Sequence, residues 1–183
     1  MELVDLRNEL SVRGKNGINF LLSGIFVWTI ITIIFLQPLE IHQKNIFLLC
    51  ATGLMFPLSI GIAAIIKADW KLDNNPLGKL GLYLNFAQFI YFPIVFWGLI
   101  NIPEDTVLYF AIITGAHFFP YGWFYNTKAY YVMAPVISVT IFFLRLYLKG
   151  ENLWLIPLAV VCLLLLLIFW LFLDFKKKTK YGS

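Results

Sequence analysis

Six apolar stretches dominate this chain, each about 20 residues long, and a helix of that length covers the roughly 30 Å hydrocarbon core of a bilayer. They run over residues 17–36, 45–66, 80–100, 106–125, 129–148 and 152–174. Lipid offers no partner to free backbone N–H and C=O groups, so helices or a closed barrel are the possible forms. Continuous runs such as Val160–Leu173 lack the alternation of a barrel strand, which leaves helices. Composition agrees: hydrophobic residues make up 61% and charged ones 13%, where a soluble domain carries about 25% charged residues. The expected fold class is all-α, an integral membrane bundle of six transmembrane helices with short loops. A single transmembrane domain over residues 1–183 is expected, with a cytoplasmic N-terminal segment (1–16) and a basic cytoplasmic tail (175–183).

Orientation follows from lysine and arginine, which gather on the cytoplasmic side. With the N-terminus inside, Arg7, Arg13, Lys15, Lys67, Lys71, Lys79, Lys128, Lys176, Lys177, Lys178 and Lys180 are cytoplasmic, and only Lys44, Arg145 and Lys149 lie outside. Both ends are therefore expected in the cytoplasm of a cell-membrane protein (plasma or inner membrane). Five of the six tryptophans, all but Trp28, fall near span ends, where interfacial tryptophans collect. The net charge of +4 is accounted for by these topological residues, and no basic soluble module exists to bind nucleic acid. The Lys176–Lys180 cluster is expected to meet anionic lipid headgroups, at about 1 kcal/mol per lysine.

The N-terminal segment places Leu3, Leu6 and Leu10 on one helical face, as in a short helix lying on the membrane surface, or else it is a frayed tail. The first apolar stretch has no small-residue cleavage motif before Pro38 and reads as an uncleaved helix. Glu2 occupies the position where myristoylation needs glycine, so no lipidation is expected.

Chemistry-bearing residues are few. Cys50 and Cys162 fall within apolar spans and are expected to be free, buried and inert. Histidine occurs twice, at His42 and His117, too few for a membrane haem or a zinc set. No hydrolase, P-loop or dinucleotide motif is present, and no cofactor or metal is expected. Glu104, Asp105 and Asp174 fall at span edges, where solvation is the expected state, and Arg145 is expected to snorkel to the interface.

One polar set stands out. Asn85 and Gln88 are three apart and share a face of the third span, and His117 lies in the fourth. Counted from Ile102–Pro103, Gln88 and His117 are both roughly fourteen residues away, so an antiparallel hairpin rising 1.5 Å per residue sets them at one depth. Such groups either bond one another across the hairpin or line a pocket. The aromatic stretch that follows, with Tyr121, Tyr125 and Asn126, is expected to form a cytoplasmic mouth or an interfacial belt. The candidate ligand-binding residues are thus Asn85, Gln88, His117, Tyr121, Tyr125 and Asn126. Prolines 57, 93, 120, 135 and 157 place one kink in each of the last five spans. Gly53, Pro57, Gly61, Ser59 and Ala63 form small-residue stripes suited to close helix contact.

The stretch Ala116-His117-Phe118-Phe119-Pro120-Tyr121-Gly122-Trp123, with the length and six spans, resembles an uncharacterised family of small bacterial multi-pass membrane proteins. That resemblance implies no substrate, cofactor or catalytic residue. From the residues, the expected activity is binding or transport of a small amphiphilic or lipidic molecule, with a homo-oligomer as one way to enclose enough volume. The alternatives are an intramembrane enzyme with His117 as general base, and a structural or regulatory subunit of a membrane complex.

Overall fold

The computed structural model describes residues 2–148 and 150–181, which leaves Lys149 and both extreme ends of the 1–183 range outside the described residues. Every regular element among them is helical. In chain order these are α1 (Leu3–Arg13), α2 (Ile18–Leu36), α3 (Ile41–Thr52), α4 (Met55–Ile66), α5 (Gly78–Ala87), α6 (Phe92–Asn101), α7 (Thr106–Ala116), α8 (Phe119–Phe124), α9 (Lys128–Tyr147) and α10 (Leu155–Tyr181). Four short 3₁₀ turns connect them, at Lys15–Gly17, Gln88–Tyr91, Pro103–Asp105 and Gly150–Asn152.

Five segments are long and apolar enough to cross a membrane: Lys15–Leu36, Gly78–Asn101, Pro103–Phe124, Lys128–Tyr147 and Leu155–Lys180. Helices α3 and α4 pass that test only together, bent by 41° across the Gly53–Leu54 break. Taken as one span, the bent pair brings the count from five to six. The Asn8 side chain of α1 bonds Asn126, and Ser11 bonds Lys178 of α10, so both described ends lie on one face. The loop after α4 returns to that face, where the Asp69 N–H donates to the Arg13 carbonyl at 3.0 Å.

Three prolines explain the broken helices. Proline has no N–H, and its ring crowds the carbonyl four residues back. Pro57, Pro93 and Pro120 stand four residues after Gly53, Phe89 and Ala116, at or beside the three places where a span breaks. Each proline then falls in the first turn of the restarted helix, where a missing donor costs nothing. Pro157 likewise sits in the first turn of α10, and only Pro135 lies inside an unbroken helix, α9.

The bundle is built on α2, α7, α9 and α10, with α4 laid on α2. Val27, Ile31, Ile137, Ile141, Ile156, Val160, Leu164 and Leu167 are almost wholly removed from solvent and form its centre. Close approach of α7 to α9 requires glycine: a Cβ at Gly115 would fall 2.7 Å from Ile137 Cγ2. Of the small-residue stripes, Ser59 and Ala63 are buried, and the Asn19 side chain bonds the Ser59 carbonyl at 3.3 Å. Gly61 looks onto open space. Both cysteines are free, but they lie exposed on the outside of the bundle rather than buried.

The face that holds the chain ends is sealed by polar contacts, and here several expectations change. Residues 3–13 are a helix rather than a frayed tail, with Leu10 and Ser11 fully buried and Leu3 and Val4 exposed. Lys15, Asn16 and Gly17 all adopt positive φ, which Asn and Gly tolerate best. This turn drives Asn16 into the bundle, where Ser11 Oγ donates to its Oδ1. Its Nδ2 donates to the Leu171 carbonyl and Asp174 Oδ2, both at 3.1 Å, and Tyr130 donates to its carbonyl at 2.7 Å. Asp174 is therefore bonded rather than simply solvated, and it also pairs with Lys178 at 2.9 Å. Lys178 itself donates to Ser11 Oγ and to the Tyr125 and Asn126 carbonyls, each at 2.9 Å. The helix α10 runs on to Tyr181, so the basic tail is two further turns of helix.

On the opposite face Arg145 does not snorkel alone. Its Nη2 lies 2.6 Å from Asp105 and 3.9 Å from Glu104, and its Nη1 donates to the Leu148 carbonyl at 3.0 Å.

Two predictions follow from the sealed face. Asn16→Ala loses a buried donor and acceptor set and strains a left-handed position, so it lowers stability by about 2–3 kcal/mol. Asn16→Gly, which relieves the strain alone, recovers about 1 kcal/mol of that in detergent unfolding curves. The second concerns Asp69, whose carboxyl is held below its ordinary value of 3.8 by the Leu72 N–H and, after that, by Arg13, against the opposing effect of partial burial. A depressed folded pKa contributes stability that is full above the unfolded value and is lost as pH falls through the folded one. The melting-temperature gap between wild type and Asp69→Asn is therefore constant from pH 7 to 5 and closes below about pH 4. A gap that widens on acidification overturns this assignment.

Candidate functional site

The three helix breaks converge on one cavity of about 320 Å³. Thr52, Gly53, Met55 and Phe56 line it from the α3–α4 break. Asn85, Phe86, Gln88, Phe89 and Phe92 line it from the α5–α6 break, and His117 and Phe118 from the α7–α8 break. Phe20, Leu21, Gly24, Val27 and Trp28 of α2 close the back. The cavity faces the half of α2 nearer the chain ends.

Asn85, Gln88 and His117 are brought together here, each half-buried. They are not a hydrogen-bonded lock between helices. His117 Nδ1 lies 2.7 Å from the Thr114 carbonyl one turn back, and Asn85 Nδ2 donates to the Gly81 carbonyl at 3.0 Å. A carbonyl only accepts, so Nδ1 carries a proton, and the neutral form of that tautomer leaves Nε2 as an acceptor. The Gln88 amide bonds no other side chain among the described residues. The hydroxyls of Thr52 and Thr114 donate to Leu49 and Phe110 carbonyls of their own helices, at 2.6 and 2.9 Å. Among the described residues, no carboxylate, lysine, arginine or cysteine lines the cavity.

Tyr121, Tyr125 and Asn126 lie elsewhere. The break at His117–Phe118 turns α8 so that Tyr121 and Tyr125 point toward α9, where Tyr121 meets Tyr130 in a tilted contact at a centroid distance of 5.8 Å and Tyr125 stacks on it at 6.1 Å. Tyr125 also packs on the bare Cα of Gly17, where a Cβ would come within 3.0 Å of its ring. Tyr121 touches the site only through an edge-on contact with His117 at 5.9 Å, and its hydroxyl is buried without a hydrogen-bond partner. Asn126, in a left-handed conformation, donates to Asn8 at 2.8 Å. These three residues belong to the sealed face, which the α1 helix covers. Sequence reasoning missed Trp28, Thr52 and Thr114 as cavity residues. The signal that could have found the breaks was the proline spacing, read as a stop four residues earlier and not as a diffuse kink.

The mouth of the cavity faces sideways. Helix α4 packs on α2, while α5 and α6 lean on α8 and α7, and no extensive packing joins α4 to α5 or α6. Phe56, Leu82, Phe86 and Phe89 stand exposed at this gap. The α5–α6 span is also the least buried of those five spans.

A family model matches residues 3–174, from the first residue of α1 to the aspartate that bonds Asn16. The chain belongs to DUF7010, a family of unknown function. The DUF7010 match takes in the whole cavity and all but the last turns of α10. No curated protein and no solved structure matches the chain.

If the polar set is not glue, its loss leaves the hairpin intact. Gln88→Leu with His117→Leu keeps or raises the melting temperature of the purified protein in matched detergent, because the Gln88 amide and His117 Nε2, which bond no other helix, are replaced by apolar groups. A fall of several degrees would show that the two side chains hold the helices together.

Proposed function

We propose that this protein binds, and through movement about its helix breaks transfers, a small amphiphilic or lipidic molecule in a cell membrane, with both chain ends in the cytoplasm. The single observation that carries the reading is the convergence of three broken helices on one apolar cavity that gathers Asn85, Gln88 and His117. Discontinuous helices that meet at a midplane site are the usual construction of membrane transporters. Small-molecule sites are likewise mostly apolar clefts of about 300–1,000 Å³ with a few polar groups. The orientation is supported by the lysine and arginine distribution, with Lys176 and Lys177 exposed toward headgroups on the cytoplasmic side.

An intramembrane enzyme with His117 as base is less well supported. The cavity supplies that ring no carboxylate, thiol or free hydroxyl to work with.

Trp28 provides the test, being 2% exposed and part of the cavity wall. In a protein that keeps Trp28 and has the other five tryptophans replaced by phenylalanine, 1-bromodecane quenches the indole along a saturating curve. Thr52→Phe, which fills the cavity from the α3–α4 break, abolishes the saturable part and leaves the circular dichroism unchanged. Identical curves for the two proteins would reject the cavity as a binding site.

A further inference from the structure

Taking that binding reading as its base, we infer that the occupant is an uncharged single-chain amphiphile with a hydroxyl or amide head, taken sideways from the hydrocarbon between α4 and α5. The hydrogen-bonding inventory of the cavity points to this class. His117 Nε2 accepts, because its Nδ1–H is committed to the Thr114 carbonyl at 2.7 Å. Gln88 offers a complete amide, both donor and acceptor, three residues from Asn85, whose amide keeps its oxygen and one N–H. Thr52 and Thr114 have spent their protons on their own helices and add only acceptors. A hydroxyl or amide head both donates and accepts, so it can give a proton to His117 Nε2 and take one from the Gln88 amide.

Charged heads do not suit it. A carboxylate or an ammonium would leave water for a cavity lined by no lysine, arginine, aspartate or glutamate. Burying a charge without a partner is the most expensive exchange such a site could make. The face nearest the cavity is packed by α1, Asn16 and Lys178. The gap that remains is rimmed by Phe56, Leu82, Phe86 and Phe89, all exposed and all apolar, which favours a molecule already dissolved in lipid. The volume selects one chain: about 320 Å³ holds on the order of ten water-sized groups, enough for a medium alkyl chain and not for two acyl chains.

The test uses the full-length Trp28-only protein and five ten-carbon probes at matched mole fraction in the micelle: 10-bromodecanol, 10-bromodecanamide, 10-bromodecanoate, 10-bromodecyltrimethylammonium and 1-bromodecane. The alcohol and the amide half-quench Trp28 at about tenfold lower mole fraction than either charged probe, as one or two buried hydrogen bonds would give. With Gln88→Leu and His117→Phe combined, the alcohol falls to the level of 1-bromodecane, whose own curve does not move. That unmoved curve shows the cavity is still formed. Quenching by the acid or the ammonium as strong as by the alcohol would overturn the head-group inference while the cavity reading stands. An alcohol advantage that survives the double substitution would overturn the assignment to these residues. No saturable quenching by any probe, 1-bromodecane included, would remove both readings together.

Discussion

A proline cannot donate to the carbonyl four residues before it, and this chain meets that constraint three times around a single volume. Pro57, Pro93 and Pro120 end their helical runs at or beside Gly53, Phe89 and Ala116. Straight helices packed at these positions would interdigitate and leave no void. The bent α3–α4 pair, the 3₁₀ turn at Gln88–Tyr91 and the turn at His117–Phe118 instead hold the helices apart, and the void between them is the cavity. Every functional statement above rests on that spacing. Polar groups that would be costly in lipid are tolerable there because they face the void and not the hydrocarbon.

The cavity also needs a floor that does not yield. At the end of the bundle nearest it, Asn16, Lys178, Asp174 and Ser11 form a closed set of hydrogen bonds drawn from α1, the turn after it, and α10. Tyr125 and Tyr130 pack above them, and Arg7 caps the Trp123 carbonyl while lying over its ring at 4.9 Å. In the opposite half, Arg145 and Asp105 tie α9 to the turn before α7. The rigid parts are thus α2, α7, α9 and α10 with their two polar ends. The part least restrained is α5–α6, the element that carries Asn85, Gln88 and most of the mouth.

How far the site could be read in advance differs among its residues. Asn85, Gln88 and His117 were legible together because two helices joined by a short turn rise at one rate, so equal distances along the chain become equal depths. Tyr121, Tyr125 and Asn126 were grouped with them on nearness in sequence, and that argument fails at a break. Once the helix restarts at Phe119 its face no longer follows from the one before, and these residues turn toward α9 and α1. Arg145 and Asp174 were read by their position at span edges alone, which cannot show that Asp105 or Asn16 stands within reach.

The sequence by itself determined that the chain is helical, that it has six apolar segments and that its cations divide between two sides. These properties depend on the length and content of each segment alone, since every helix satisfies its own backbone. Tertiary structure decided that α1 packs across one end of the bundle through Leu10 and Ser11, that Asn16 is its polar centre, and that three breaks meet at one cavity. Those outcomes depend on the rotation of each helix about its axis. No local pattern sets that rotation when a segment is apolar on all sides, and only the packing of glycine against side chain, as at Gly115 and Ile137, resolves it.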